Sequence, residues 1–227
     1  AEFAAYHGRA HAVMVNSGSS ANLIAVAALS HHAKRGLRRG DEVIVPAISW
    51  STTYFPFQQY GLRLRFVDID IENLGLDASR LDEALTPRTR AIASVSILGN
   101  PCALDVMRDF ADRHDLWFIE DNCESLDARL GGRLTGTFGD MATFSFFFSH
   151  HISTMEGGMV LTDDVELCHL ARSLRAHGWT RDLPDDSPIY ERRESDFFEE
   201  YRFILPGYNV RPMEMNAAIG LRQLKKL

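Results

Sequence analysis

The chain has 227 residues, of which 45% are hydrophobic and 24% are charged, a composition typical of a globular domain that folds without disulfides or a structural metal. Its formal net charge of -7 argues against a surface that binds nucleic acid or an anionic membrane. Because no apolar run is as long as a membrane span and the N-terminus lacks a signal pattern, we expect a cytoplasmic protein.

Short apolar and β-branched runs alternate with stretches of helical periodicity. The predicted strands, in chain order, are Ala12–Val15, Glu42–Val45, Arg63–Asp68, Ala91–Ser96, Trp117–Asp121, Ala142–Phe146 and Met159–Thr162. The predicted helices between them are Ser20–Lys34, Asp77–Leu85, Ala103–His114 and Asp164–Arg175. This alternation predicts an α/β fold with a doubly wound, mostly parallel sheet, which binds ligands at the carboxyl ends of its strands.

The two ends of the chain depart from this alternation. Ala1–His11 has the pattern of the last part of a helix, and Pro212–Leu227 predicts a helix with proline in its first turn. Between Ala176 and Phe203 the sequence is polar and charged, which predicts a long loop. The part of this loop around Asp182–Glu200 is either a lid over the substrate or a solvated connection.

Two of the predicted strands end in groups that suit an aromatic phosphate ligand. The first strand runs into Asn16–Asn22, a small polar turn that offers amides and hydroxyls to phosphate or simply caps the next helix. Another strand ends at Asp121, where a carboxylate can cap a helix, bind a cation or keep a pyridine nitrogen protonated. Trp50 either packs in the core or lies against such a ring.

A third group is the segment Ser145–Gly158, which contains the tandem histidines His150 and His151. Paired histidines by themselves favour a metal site. No carboxylate accompanies them at helix-pair spacing, and we therefore predict no metal here. The cysteines are also too widely spaced for a zinc or iron–sulfur motif, so reduced thiols are expected. They are Cys102, Cys123 and Cys168.

The order of these segments resembles the sugar aminotransferases of the DegT/DnrJ/EryC1/StrS type, which are fold-type-I pyridoxal-phosphate proteins. The similar segments are Ser17–Asn22, Gly40–Pro46, Ile119–Asn122, Phe138–Phe146 and Glu156–Gly158. The resemblance extends, in order, over essentially the whole chain. It implies the large cofactor-binding domain of that fold over residues 1–227, with a mostly parallel seven-stranded sheet flanked by helices. It also implies that the family's earlier N-terminal segment and small C-terminal domain are missing.

In that family a lysine follows the serine of the Phe-Ser-Phe stretch by five residues, and here the position is His150. The three lysines of the chain are elsewhere: Lys34, Lys225 and Lys226. This exchange marks the family's 3-dehydratase branch, in which two kinds are known. One acts on CDP-linked sugars with a cysteine-ligated iron–sulfur cluster, and the other acts on GDP-4-keto-6-deoxymannose in colitose biosynthesis without a cluster.

Leu174–Arg181 and Leu205–Pro212 resemble the second kind, and no cysteine follows Trp179 to ligate a cluster. The resemblance therefore implies removal of the C3 hydroxyl from a nucleotide-linked 4-keto-6-deoxyhexose, with GDP-4-keto-6-deoxymannose as the expected substrate. The implied cofactor is pyridoxal phosphate, used as pyridoxamine phosphate and regenerated by L-glutamate. No iron–sulfur cluster, nucleic acid or membrane is expected as a partner.

The resemblance also assigns roles to individual residues. His150 is the expected catalytic group. The expected cofactor contacts are Ser19, Ser20 and Ser145 on the phosphate, Trp50 on the ring face, Asp121 on the ring nitrogen, Glu124 near the ring hydroxyl and Asn209 across a dimer interface. A homodimer with shared active sites follows from the role of Asn209. His177 and Arg211 are expected on the substrate side, although His177 is equally consistent with an exposed loop histidine.

Histidine suits an elimination better than a transamination. An imidazole has no primary amine and cannot anchor the cofactor covalently, but its pKa of about 6.5 allows it to accept and return a proton near neutral pH. Two alternatives remain: a catalytically silent relative that retains the pocket, and an enzyme of the kind that acts on CDP-4-keto-6-deoxyglucose.

Overall fold

The computed structural model describes residues 1–193 and 196–227. Its strands are His11–Val15 (β1), Glu42–Pro46 (β2), Arg63–Val67 (β3), Thr89–Val95 (β4), Trp117–Asp121 (β5), Arg129–Leu130 (β6), Arg133–Leu134 (β7), Met141–Ser145 (β8) and Gly158–Thr162 (β9). Its α-helices are Glu2–His7 (α1), Gly18–His31 (α2), Ser51–Gln59 (α3), Leu81–Ala84 (α4), Leu104–Arg113 (α5), Val165–Leu174 (α6), Asp196–Glu200 (α7) and Glu214–Leu224 (α8). Within the described residues, no helix is long and apolar enough to cross a membrane.

Seven strands form one sheet in the order β1-β9-β8-β5-β4-β2-β3. The strands from β8 to β3 pair in parallel, whereas β9 runs antiparallel to both of its neighbours, β1 and β8. The prediction of a mostly parallel α/β sheet is confirmed, and each of the seven predicted strands lies within two residues of an observed one. The carboxyl ends of the parallel strands lie at one edge of the sheet. At this edge the ends of the neighbouring strands β5 and β8 are side by side.

Residues of alternate parity on the strands pack against opposite layers of helices. Trp117 and Ile119 of β5 share a core with α2 and α6, while Phe118 of the same strand packs with α5. Asp121 therefore continues the α2 side of β5, and Glu120 continues the opposite side. A third core joins α1 to β8 and β9. This alternation decides which of the two adjacent carboxylates can face the end of α2.

Three elements were not predicted. Helix α3 contains Pro56 and the β-branched residues Thr52 and Thr53, which weaken a helical signal. Short helix α7 lies inside the predicted loop Ala176–Phe203. The β6–β7 hairpin has two-residue strands, too short for an alternating pattern. The predicted C-terminal helix is present, although α8 begins at Glu214, with Met213 as its N-cap, two residues after the predicted start at Pro212.

The segment after α6 is held to the sheet by backbone bonds. The His177 amide donates to the Tyr208 carbonyl (2.7 Å), and the Asn16 amide, at the end of β1, donates to the Val210 carbonyl (2.9 Å). Within the predicted loop, Glu194 and Ser195 lie outside the described residues, so the choice between a lid and a connection stays a prediction.

Candidate active site

The N-terminus of α2 forms one wall of a cavity at the carboxyl edge of the sheet. The Ser17 hydroxyl caps this helix by accepting from the Ser20 amide (3.0 Å) and donates to the Ser20 hydroxyl (3.0 Å). The first amides of a helix have no partner inside the helix, and they carry the positive end of its dipole. Ser19 adds an exposed hydroxyl, which donates to Thr52 (2.9 Å). This end of α2 therefore suits a phosphate group.

Asp121 lies at the end of β5 with its carboxylate buried. One oxygen, Oδ2, accepts from the Asn22 amide (2.8 Å) and from the Thr53 hydroxyl (2.8 Å). The other, Oδ1, accepts from the Cys123 backbone amide (3.2 Å). Burial and the Asp121 charge raise the pKa of the neighbouring Cys123 thiol well above its ordinary value. Three donors on one carboxylate hold it in a single orientation at the end of β5.

The mouth of the cavity is aromatic and apolar. Trp50 is 72% exposed, which rules out the core role that the sequence had left open. It is the N-cap residue of α3 and lines the cavity with Ile48, Ile97 and Phe147. These side chains offer an apolar and aromatic surface to a flat ligand in the cavity.

His150 lies in the turn that follows β8, and its backbone amide donates to the Phe147 carbonyl (3.0 Å). Burial lowers the pKa of His150 below its ordinary value, and the nearby Glu124 carboxylate opposes this effect. The imidazole is therefore largely neutral at neutral pH and can accept a proton. Ser145, the last residue of β8, is buried and lines the same cavity, and its hydroxyl accepts from the Phe147 amide (3.3 Å).

Glu124 is held by a turn with unusual backbone geometry. Its Oε2 accepts from the Leu98 amide (2.7 Å), and Leu98 has φ 55°, a left-handed conformation that is uncommon for a residue other than glycine. Such strain is found where surrounding contacts fix the backbone, often at functional sites. Glu124 lines the same cavity as His150 and Asp121.

Together these elements enclose a cavity of about 620 Å³. Six of the predicted site residues line it: Ser19, Trp50, Asp121, Glu124, Ser145 and His150. The Ser20 hydroxyl is instead paired with Ser17. The remaining predicted residues, Asn209, His177 and Arg211, are exposed and do not belong to the described lining. Arg211 donates to the Asn209 side chain (3.3 Å).

Sequence reasoning missed the polar residues that support this cavity: Ser17, Asn22, Ser49, Thr52, Thr53 and Thr143. Ser17 and Asn22 stand in the recognised Ser-Gly-Ser-Ser-Ala-Asn stretch, and Thr143 stands in the recognised segment Phe138–Phe146, so these stretches were the available signals. Ser49, Thr52 and Thr53 flank Trp50, which was the one residue of that segment assigned to the site. Among the described residues, no group of three or more histidine, cysteine or acidic side chains is arranged to hold a metal ion.

The arrangement combines a phosphate-binding helix end, a buried carboxylate and a half-buried histidine in one cavity. It fits a flat ligand that has a phosphate at one end and a protonated ring nitrogen at the other. The described lining contains no lysine and no arginine. A proton in this cavity can therefore be moved by His150, whereas no primary amine is present to attach a carbonyl group.

Comparison with known proteins gives a consistent result. The model of the DegT/DnrJ/EryC1/StrS aminotransferase family matches residues 1–227. GDP-4-keto-6-deoxy-D-mannose 3-dehydratase from Yersinia pseudotuberculosis is 56% identical over all of this chain and over 58% of its own length. The corresponding Escherichia coli enzyme, solved with bound hydrated PLP, is 53% identical with a TM-score of 0.96, covering 99% of this chain and 58% of its own.

A crystal structure of GDP-4-keto-6-deoxymannose-3-dehydratase with a trapped PLP-glutamate geminal diamine is also similar. It has a TM-score of 0.96 and is 52% identical, and the match covers 100% of this chain and 59% of that one. The present chain thus spans somewhat under three fifths of the length of the relatives it matches.

Proposed function

The chain belongs to the DegT/DnrJ/EryC1/StrS aminotransferase family, and we propose that it is the large domain of a pyridoxamine-phosphate-dependent sugar 3-dehydratase. The proposed reaction removes the C3 hydroxyl of a nucleotide-linked 4-keto-6-deoxyhexose, with GDP-4-keto-6-deoxymannose as substrate and L-glutamate as amino donor. The observation that carries this proposal is the position of His150: it lies in the cavity, beside Glu124 and near Asp121, where the aminotransferases of the family have their lysine.

The residues present fit this cofactor. The amides at the start of α2, with Ser19 and Ser145, would hold its phosphate, and Trp50 would lie against its ring. Asp121 would pair with the ring nitrogen and keep it protonated. When bound, pyridoxamine phosphate supplies an amine that condenses with a keto group and a protonated ring that accepts an electron pair.

His150 performs the proton transfers. As a neutral imidazole it accepts one proton at its free ring nitrogen, and as an imidazolium it donates that proton to the departing C3 hydroxyl, which leaves as water. The lowered pKa of His150 favours the first step, since the group must begin unprotonated. The neighbouring Glu124 carboxylate stabilises the imidazolium once it has formed, so it favours the uptake of the proton by His150.

Charge supports the further proposal that the protein works as a homodimer with shared active sites. The described lining contains three carboxylates, Asp121, Glu124 and Glu156, and no lysine or arginine. A cofactor phosphate and a nucleoside diphosphate are both anionic, and helix amides alone provide only partial positive charge. Asn209 and Arg211 are exposed, so a second copy of the chain could present them to this cavity.

The activity is tested by incubating the intact protein with pyridoxal phosphate, L-glutamate and GDP-4-keto-6-deoxymannose. We expect a product lighter by one oxygen together with release of 2-oxoglutarate and ammonia, measured by mass spectrometry. If only the CDP-linked 4-keto-6-deoxyglucose reacts, the nucleotide assignment is wrong. If no cofactor binds, the silent-relative alternative replaces the proposal.

Shared sites are tested by mixing two inactive variants, His150→Asn and Asn209→Ala, under conditions that exchange subunits. A mixed dimer would contain one cavity with both wild-type groups, so the mixture should regain part of the wild-type activity. If each cavity is built from one chain only, mixing restores nothing. Sedimentation measures the dimer in the same samples.

A further inference from the structure

A buried hydrogen-bond network surrounds Asp121 and joins three separate elements of the fold. Asn22 comes from α2, Thr53 from α3 and Thr143 from β8, and each of these three residues is almost fully buried. Asn22 and Thr53 donate directly to Oδ2 of Asp121, each at 2.8 Å. Buried polar groups are costly unless all are satisfied, so the directions of these bonds indicate what the network does.

The orientation of the Asn22 amide is determined by its neighbours. The Thr143 hydroxyl donates to Oδ1 of Asn22 (2.6 Å), which leaves the NH2 group of Asn22 facing Asp121. One of its hydrogens goes to the Asp121 carboxylate, and the other points to the Thr52 carbonyl (3.4 Å). That carbonyl lacks its usual helical partner, because the residue four positions later is Pro56, which has no N–H.

The orientation of the Thr53 hydroxyl is determined in the same way. A hydroxyl has one hydrogen to donate, and the ionised Asp121 carboxylate can only accept, so the Thr53 hydrogen goes to Asp121. Thr53 then accepts from the Ser49 hydroxyl (2.8 Å). Ser49 precedes Trp50, so this chain of bonds also connects Asp121 to the loop that carries the exposed tryptophan of the cavity.

Together with the Cys123 amide on Oδ1, these donors take three of the roughly four acceptor positions of a carboxylate. The remaining position is on Oδ1. The network thus limits the direction from which Asp121 can accept a further hydrogen bond.

We propose that Asn22 and Thr53 are positioning residues, which orient the Asp121 carboxylate so that one acceptor position stays free for the ring N–H of a pyridinium ligand. This inference rests on the proposed function, since it concerns the same cofactor. It predicts that removing the Thr53 hydroxyl weakens binding only of ligands that have a ring nitrogen. If the role of Thr53 were merely structural, its loss would weaken the binding of ligands with and without a ring nitrogen alike.

The test uses calorimetric titration of the intact protein with pyridoxamine phosphate and with its 1-deaza analogue, in which carbon replaces the ring nitrogen. For Thr53→Val, an isosteric change, we expect the Kd of pyridoxamine phosphate to rise about tenfold, as for loss of a hydrogen bond to a charged group. The 1-deaza analogue should bind wild type and Thr53→Val equally. The separate variant Thr53→Ser, which retains the hydroxyl, should bind pyridoxamine phosphate with the wild-type Kd.

If Thr53→Val weakened the binding of both ligands equally, or of neither, the inference would be overturned while the cofactor assignment remained intact. Failure of Thr53→Ser to restore binding would overturn it too. If the wild-type protein itself bound no pyridoxamine phosphate, the proposed function would fail first and this inference with it. Thermal unfolding of each variant identifies a protein that has not folded, and Ser49→Ala then offers a second, milder change to the same network.

Discussion

Gly18 lies against Ser145: a β-carbon built on Gly18 would come within 2.5 Å of Cβ of Ser145 and 2.8 Å of the Cys123 sulfur. Only glycine therefore allows the start of α2 to approach the end of β8. This contact places the helix amides and the Ser145 hydroxyl around the same space, 127 residues apart in sequence.

The Gly18→Ala variant is expected to lose about 1–3 kcal/mol of unfolding free energy, since the added methyl overpacks a buried contact. It should also weaken cofactor binding, because α2 must shift away from β8. Urea unfolding and calorimetric titration measure the two effects. Gly220→Ala is a suitable control, because its added carbon meets one side-chain methyl, that of Thr154, at 3.2 Å. An unchanged Gly18→Ala protein would contradict the packing argument.

Replacing His150 separates proton transfer from cofactor attachment. We expect His150→Asn to bind pyridoxamine phosphate but to lose dehydration, because the amide cannot act as a base. His150→Lys should instead become covalently linked to pyridoxal phosphate after borohydride reduction, seen as a gain in protein mass. His151→Asn, at an exposed position, should retain activity. If His150→Asn remained fully active, another residue would have to be the base.

The activity should depend on pH through His150. Burial lowers the pKa of this imidazole, so the acid limb of the kcat/KM profile is expected below about pH 6.5. Glu124 raises the pKa of His150, and Glu124→Gln should therefore move this limb to still lower pH. Glu156→Gln removes an exposed carboxylate from the same cavity and should move it less. A shift of the limb to higher pH in Glu124→Gln would contradict the assigned interaction.

Stability should fall on mild acidification because of His7. Burial lowers its pKa, and its ring packs against Phe3 and Phe144. Above its ordinary pKa of about 6.5 the ring is neutral in both states and has no effect. As the pH falls below that value the unfolded chain takes up the proton first, so the free energy of unfolding decreases.

Urea unfolding at about pH 7.5 and at about pH 5.5 tests this linkage. The loss of stability should be smaller in His7→Phe, which retains an aromatic ring but does not titrate. The buried His169 has a lowered pKa as well and should account for part of the remaining loss. A pH dependence identical in His7→Phe and wild type would show that His7 does not contribute.

The adjacent carboxylates Glu120 and Asp121 should respond differently to neutralisation. Glu120 accepts three backbone amides, from Gly136 (2.7 Å), Phe138 (2.7 Å) and Gly139 (2.5 Å). Glu120→Gln puts an NH2 group among these donors and should cost at least about 2 kcal/mol of unfolding free energy. Asp121→Asn should abolish tight cofactor binding, whereas Glu120→Gln, which alters the opposite side of β5, should not. Denaturant unfolding measures the stability and calorimetric titration measures the binding, and an equal loss of cofactor binding in the two variants would contradict the division.

The sequence by itself determined the strands and the family. Most strands of the main sheet are short, largely apolar runs bounded by polar turns, because buried strands require such runs. The edge strand β3 is instead largely exposed and alternates arginine with apolar residues. The collinear segments from Ser17 to Gly158 predict the cofactor class, and the histidine at position 150 predicts that the cofactor is not covalently attached. These signals are local, and each can be read without knowledge of the contacts.

The tertiary structure alone decided how the site is supported. Helix α3 was missed because Pro56 and two threonines weaken its pattern, yet the same proline leaves the Thr52 carbonyl free for Asn22. The reversed direction of β9 is not encoded in a buried apolar run. Asn22 and Asp121 are 99 positions apart. Only the packing of α2 against the sheet brings the Asn22 amide close enough to donate a hydrogen bond to Asp121. Long-range hydrogen bonds of this kind have no local sequence period, and so no pattern along the chain could predict them.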